Sequence, residues 1–350
     1  MHDGSAAEPE MEKTLPVKKC ITFLTALLFV PGAVFGISES DFTQEYDAAV
    51  LPFFESFESG SFSGVDDIRI SYVRHEVPEE AGALVILHGK SESRIKYAEL
   101  AYDLRGLGYS LYLMDHRGMG FSERIVTDDT QRVHVDQFSD YVSDLKRFVD
   151  TVVNSVPHRR LVFLSHSMGG LIAALYLEQY PGDVDAAVLS APMLRINTGS
   201  YPEPVAFLIA SLGTALGLGR EYALGQGPRQ DPVFETNTVT HSRARWSLWE
   251  ETLIPAHPEI KSGGTSYCWV RNSLFATWTA RLQAGEVAVP VLLFQAGEDT
   301  FVKPDGQDDF CSAAGDCREV YFDGARHEIL METDAIRDRA LAEIIDFLEE

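Results

Sequence analysis

Ser167 stands in the run Ser165-His166-Ser167-Met168-Gly169, between the apolar stretch 161–164 and the small, apolar stretch 170–177. A serine on a strand-to-helix corner has the layout of a nucleophile elbow. Such a corner strains the serine's backbone, pushes its hydroxyl into the open and tolerates only small side chains two residues to either side. Here those flanks are Ser165 and Gly169. The first is more often glycine, so the departure amounts to one hydroxymethyl group. A pattern this short also describes an ordinary strand, turn and helix start, and the rest of the chain has to decide.

A serine hydroxyl becomes a useful nucleophile when an imidazole takes its proton and a carboxylate fixes that imidazole's tautomer. On an elbow architecture the chain order is serine, acid, histidine. After Ser167, the strand-like 291–295 runs into Ala296-Gly297-Glu298-Asp299-Thr300, and 319–322 runs into Asp323-Gly324-Ala325-Arg326-His327-Glu328. Both loops open at the carboxyl end of a strand, where open α/β sheets place their sites. The reading is therefore Ser167, Asp299 and His327, with Asp299 preferred to Glu298 because it lies further into its loop. A tetrahedral intermediate also needs an oxyanion hole, and losing one backbone donor costs about 3 to 4 kcal/mol of barrier. The amide of Met168, at a helix start, is one expected donor. The amide of Lys90, in His88-Gly89-Lys90 after the strand-like 83–87, is the other.

Competing chemistries fit less well. Gly89-Lys90-Ser91 lacks the earlier glycine of a phosphate-binding loop, because Leu84 stands there. His327-Glu328 begins like a zinc-helix motif, but Met331 occupies the second histidine's place, and three separate histidines, His88, His116 and His166, make no recognisable ligand spacing. No metal or cofactor is expected. His116 is read as fixing the turn after the second core strand, His134 as packing before a helix, and His166 as orienting the elbow.

These residues need a scaffold. Strand-like 83–87, 111–114, 161–164 and 187–189 alternate with helical 94–107, 137–153 and 168–180, which predicts a mainly parallel sheet with helices on both faces. Before them come a helical lead-in over 38–60 and an antiparallel edge hairpin around Asp66-Asp67. From 191 to 289 the alternation stops, and all four tryptophans fall in that segment. A mostly helical cap is expected there, inserted before the acid-bearing strand. The organisation is thus a core over 37–190, a cap over 191–289 and the rest of the core over 290–350.

Lys13, Lys18 and Lys19 precede a short apolar stretch from Cys20 to Val30, then Pro31, Gly32 and small residues at 34 and 36. Residues 1–36 therefore read as a secretory signal cleaved after Gly36, with Met11 a candidate initiator. The alternative is an uncleaved membrane anchor, although the stretch is short of the roughly 20 residues a span needs. Export would leave Cys311 and Cys317 close enough to pair and Cys268 single; three free thiols is the other reading. A formal net charge of −24 repels phosphate backbones, so nucleic acid is not an expected partner.

Taken together, 95–104, Asp115-His116-Arg117-Gly118-Met119-Gly120, His166-Ser167-Met168-Gly169-Gly170, Thr240-His241-Ser242-Arg243, Trp269-Val270-Arg271 and His327-Glu328-Ile329-Leu330 resemble the bacterial lysophospholipase L2 family. That family is a branch of the α/β-hydrolases close to the monoacylglycerol lipases. The resemblance covers roughly residues 80 to 348. It implies the α/β-hydrolase fold, hydrolysis of the remaining acyl ester of a lysophospholipid, and Ser167, Asp299 and His327 as the triad. Arg243 and Arg271, in cap stretches that match the family, are candidates for binding a lysolipid phosphate, against the plainer role of tying the cap to carboxylates. Cys268 departs from the pattern, standing where a histidine is expected.

The resulting expectation is a periplasmic or secreted serine esterase acting on a lipid-like ester, with transient membrane-surface contact through the cap. Its rivals are a broad carboxylesterase or peptidase on the same scaffold, and a catalytically silent lipid-binding protein.

Overall fold

The computed structural model describes residues 36–350, together with Met1. The proposed signal lies almost wholly outside the described residues.

Among the described residues, eight strands form one sheet in the order β1-β2-β4-β3-β5-β6-β7-β8. They are β1 (Glu58–Ser63), β2 (Arg69–His75), β3 (Gly82–Leu87), β4 (Tyr109–Met114), β5 (Leu161–His166), β6 (Ala186–Ser190), β7 (Val291–Ala296) and β8 (Cys317–Phe322). Only β1 and β2 run antiparallel to their neighbours. Every residue of β3, β4, β5 and β6 is buried, and these strands read as nearly unbroken apolar runs. Parallel strands covered on both faces need that composition, whereas β1 and β8, at the edges, leave most of their residues partly or fully exposed.

The longer helices are α1 (Ala98–Leu104), α2 (Ser139–Thr151), α3 (Met168–Gln179), α4 (Glu203–Gly213), α5 (Tyr267–Gln283), α6 (Pro304–Ala313) and α7 (Asp334–Glu349). Successive residues of β3 point to opposite faces. Ala83, Val85 and Leu87 join α2, α3, part of α5 and α6 in one core, and Leu84 and Ile86 join α1 and α7 in the other. The sheet fold is that of the α/β-hydrolases. The lead-in is helical only over 42–55; strand β1 takes over at Glu58, with Gly60 opposite Tyr72.

Helix α3, directly behind Ser167, is buried along its whole length except its last residue. Its Glu178 has two buried carboxylate oxygens with no partner among the described residues. Burial, helped by Glu286, raises this carboxyl to about 8. Because the folded value lies above the unfolded one, the folded chain holds a proton here that the unfolded chain releases near 4.5. Stability from this position is therefore full below that pH and is lost as pH rises towards about 8. Glu178→Met is expected to stabilise the protein at pH 8 by about 1 to 3 kcal/mol, with a smaller gain at pH 5. Equal gains in thermal unfolding at both pH values would contradict this account.

Candidate active site

Ser167 joins β5 to α3 with φ 51° and ψ −114°, a conformation strained for any residue with a side chain. The surroundings hold it there. Its N–H donates to the Ser190 carbonyl at 3.0 Å, and its own carbonyl accepts from Met193 at 2.9 Å. Ser165 fits the corner because its hydroxyl donates to the Val188 carbonyl at 3.1 Å. Gly169 is required by close approach: a Cβ there would lie 2.5 Å from the Leu87 carbonyl oxygen and 2.7 Å from that of His88. Helix α3 can thus press its first turn against the loop that carries Lys90.

His327, in the loop after β8, has Nε2 2.8 Å from the Ser167 hydroxyl and Nδ1 2.6 Å from Oδ2 of Asp299. The other Asp299 oxygen accepts from the N–H groups of Phe301 and Val302 at 2.7 and 3.0 Å. Burial opposes the Asp299 charge, but its bonds to His327 and to these two amides hold the carboxyl below the ordinary range. Glu298 turns away from the histidine, with Oε2 3.2 Å from Nε2 of His241 in the intervening segment. The structure therefore joins Ser167, His327 and Asp299 in one hydrogen-bonded chain and leaves Glu298 outside it.

Among the described residues, neither the Lys90 N–H nor the Met168 N–H has a hydrogen-bond acceptor. Sequence reasoning missed what orients the first. Glu92 Oε2 accepts from Gly89 N–H at 2.6 Å and from the Tyr97 hydroxyl at 2.7 Å, anchoring the loop one residue before Lys90. The Lys96 ammonium bridges Glu92 and Glu328 at 2.8 and 2.6 Å. Burial opposes the Glu92 charge, yet Lys96 holds this carboxyl well below its usual range. Glu92, His166 and Glu328 place ligand atoms within 4.8 Å of one another. The Lys96 ammonium already supplies the positive charge a cation would bring there. His166 is driven by burial down to about 3 and stays neutral, its ring 4.8 Å from that of His327. Among the described residues His116 accepts or donates only within the His88 turn, and His134 bonds Ser266 and Asp136.

Ser167 and His327 line a cavity of about 780 Å³. One wall comes from α4 and α5, through Ala206, Ile209, Ala210, Trp269, Val270 and Leu274. Between β6 and β7 the chain forms no strand, and α4 packs along α5.

The two arginines expected to bind phosphate do not line this cavity. Arg243 is more than half exposed and pairs with Glu235 and Glu251, stacking on Phe234 and Trp246. Arg271 bonds Asn272 and borders a separate hollow between α2 and α5. Trp269, Val270 and Leu274 take the cavity face of α5, so the turn of the helix carries Arg271 away.

A family model described as "Serine aminopeptidase, S33" matches residues 78–334. Lysophospholipase L2 of Escherichia coli (strain K12) is 40% identical over 303 residues, covering 84% of this chain and 88% of that protein. The chain belongs to the lysophospholipase L2 branch of the α/β-hydrolases. Within that branch, a probable lysophospholipase L2 of Haemophilus influenzae is 32% identical over 316 residues, covering 89% of this chain and 98% of that one. A soluble variant of Saccharomyces cerevisiae monoglyceride lipase, solved with a substrate analog, superposes with a TM-score of 0.64 at 19% identity, over 83% of this chain and 94% of that one. That likeness shows the shared fold.

Proposed function

We propose that this lysophospholipase L2 relative is a serine esterase that removes the acyl chain of lysophospholipids or monoacylglycerols. The observation that carries the reading is the Asp299–His327–Ser167 hydrogen-bonded chain at the wall of a largely apolar cavity. In acylation, His327 Nε2 takes the Ser167 proton as the oxygen attacks the ester carbonyl. Asp299 stabilises the resulting imidazolium. The Lys90 and Met168 N–H groups receive the oxyanion. Collapse expels the glycerol-bearing alkoxide, which takes the proton back from His327. Water, deprotonated by the same ring, then attacks the acyl-serine and releases the fatty acid. Each methylene buried against the cavity wall contributes about 0.8 kcal/mol, which favours long single chains.

Peptidase chemistry, which the family model's description brings to mind, has less support. Among the described residues each carboxylate lining the cavity is already paired, Glu250 with Arg229 and Glu92 and Glu328 with Lys96, which leaves none of them for a substrate's amino-terminal ammonium. Incubated with palmitoyl lysophosphatidylcholine or monopalmitoylglycerol, the protein is expected to release palmitate and the deacylated alcohol. Cleavage of amino-terminal peptide amides with no release of palmitate would overturn the reading.

The proposal includes transient contact of the cap with a membrane surface. In its support, Val205, Leu208, Leu212 and Leu216 are exposed along one side of the α4 segment and its continuation. Among the described residues no helix is long and apolar enough to cross a membrane. We infer export with cleavage after Gly36. Supporting it, Cys311 and Cys317 form a disulfide, while Ile37 is buried and its carbonyl accepts from Arg245 at 3.0 Å. Amino-terminal sequencing is expected to find Ile37 first in protein recovered outside the cytoplasm. An intact leader in the membrane fraction would point to an anchor.

A further inference from the structure

The cavity that holds Ser167 is also lined by three cations, Lys90, Lys96 and Arg229. Two are neutralised within the protein. Lys96 bridges Glu92 and Glu328, and Arg229 pairs with Glu250. Lys90 differs. Among the described residues its ammonium meets no carboxylate within ion-pair distance, and its hydrogen bond is to the neutral Ser91 hydroxyl at 3.0 Å. Ser91 in turn donates to the Gly263 carbonyl at 3.3 Å, which sets this corner against the 227–230 and 262–264 loops.

Those two loops hold Arg229 in place. A Cβ on Gly263 would lie 2.7 Å from the Arg229 backbone nitrogen, so the loops meet without side-chain bulk between them. The Arg229 N–H donates to the Gln131 side chain at 3.1 Å, and the Gly264 N–H to the Gly227 carbonyl at 2.8 Å. Removing an ammonium from water without a counter-charge is unfavourable, and a second cation nearby adds repulsion. Burial and then Arg229 lower the Lys90 ammonium to about 8, with Glu92 opposing them. An unpaired cation in a cavity wall is relieved when a substrate brings an anion to it.

The geometry points to Lys90 and Arg229 as an anion subsite that seats the phosphoryl group of a lysophospholipid head group. This deepens, and rests on, the esterase reading. One residue would then serve twice, its backbone N–H towards the oxyanion and its side chain towards the phosphate. Arginine offers a planar fork to phosphate oxygens and lysine a point charge. The Glu250 carboxylate remains on Arg229, so Lys90 supplies the uncompensated charge.

The test compares palmitoyl lysophosphatidylglycerol, whose phosphodiester keeps its charge across the range used, with monopalmitoylglycerol. The readout is the ratio of their kcat/KM values. In Lys90→Met the ratio is expected to fall about 10- to 100-fold, the range of a lost hydrogen bond to a charged group. Lys90→Arg should recover part of it, and Arg229→Gln should lower it by a smaller factor. In the unsubstituted protein the ratio should fall as pH rises through about 8, since the free ammonium is charged below that value and neutral above it. That profile stands even if a substituted chain fails to fold. A ratio unmoved by substitution and by pH, with both lipids hydrolysed, overturns the subsite and leaves the esterase reading intact. Hydrolysis of neither lipid overturns the esterase reading itself. Inorganic phosphate is the remaining arm: millimolar phosphate that inhibits monopalmitoylglycerol turnover, with no preference for the lysolipid, would make this a free-anion site and overturn the head-group assignment.

Discussion

Ser167→Ala is expected to abolish ester turnover while leaving the melting temperature almost unchanged. Among the described residues the hydroxyl's only side-chain partner is His327 Nε2, and the residue's strained backbone is held by main-chain bonds to Ser190 and from Met193 that alanine keeps. Removing the nucleophile of such a unit typically lowers turnover by about a millionfold. Comparison of kcat on monopalmitoylglycerol with thermal unfolding checks both halves. Turnover within tenfold of the parent would place the nucleophile elsewhere.

The second large effect separates two adjacent acids. Asp299→Asn should lower kcat by about 10⁴-fold, because an amide at that position favours the wrong imidazole tautomer. Glu298→Gln should change it less than about threefold, since that side chain lies beside a partly exposed His241 and is itself half exposed. The reverse ranking would move the acid by one residue and contradict the bond between Asp299 and His327.

The sheet and the three side chains that the structure joins by hydrogen bonds were legible in the sequence from their place after strand-like runs. Strands buried on both faces must be apolar throughout, so runs such as 83–87 and 291–295 announce themselves, and Ser167 and Asp299 each follow such a run at a turn; His327 follows the edge strand β8, whose short 319–322 run and Gly-bearing loop mark it instead. Edge strands carry a weaker signal, which is why the lead-in helix was expected to extend over residues that instead begin β1. The cap resisted for another reason. The composition predicts a mostly helical cap but does not say which face of α5 meets the cavity, and Arg271 falls on the wrong side of Trp269 and Val270. Arg243 lies in a short helical turn, Arg243–Ser247, where nearby glutamates and aromatic rings satisfy it at the surface. Arg229 gave no signal at all, because its place depends on two loops meeting at Gly263. The sequence points to Lys90 for its N–H; that the residue also lines the cavity beside Arg229 depends on the packing of Ser91 against Gly263. Glu92 carried a faint signal, as an acid close behind a buried strand, but its partner Gly89 became visible only in three dimensions.

The central claim is that Ser167 is the nucleophile activated by His327. A fluorophosphonate ester reacts with an activated serine and forms a stable phosphonyl adduct. Mapping that adduct by peptide mass spectrometry is therefore the most direct measurement. The account predicts one adduct per chain, on Ser167, lost when His327 is replaced by alanine. An adduct on another residue, or labelling of Ser167 that persists without His327, would contradict it.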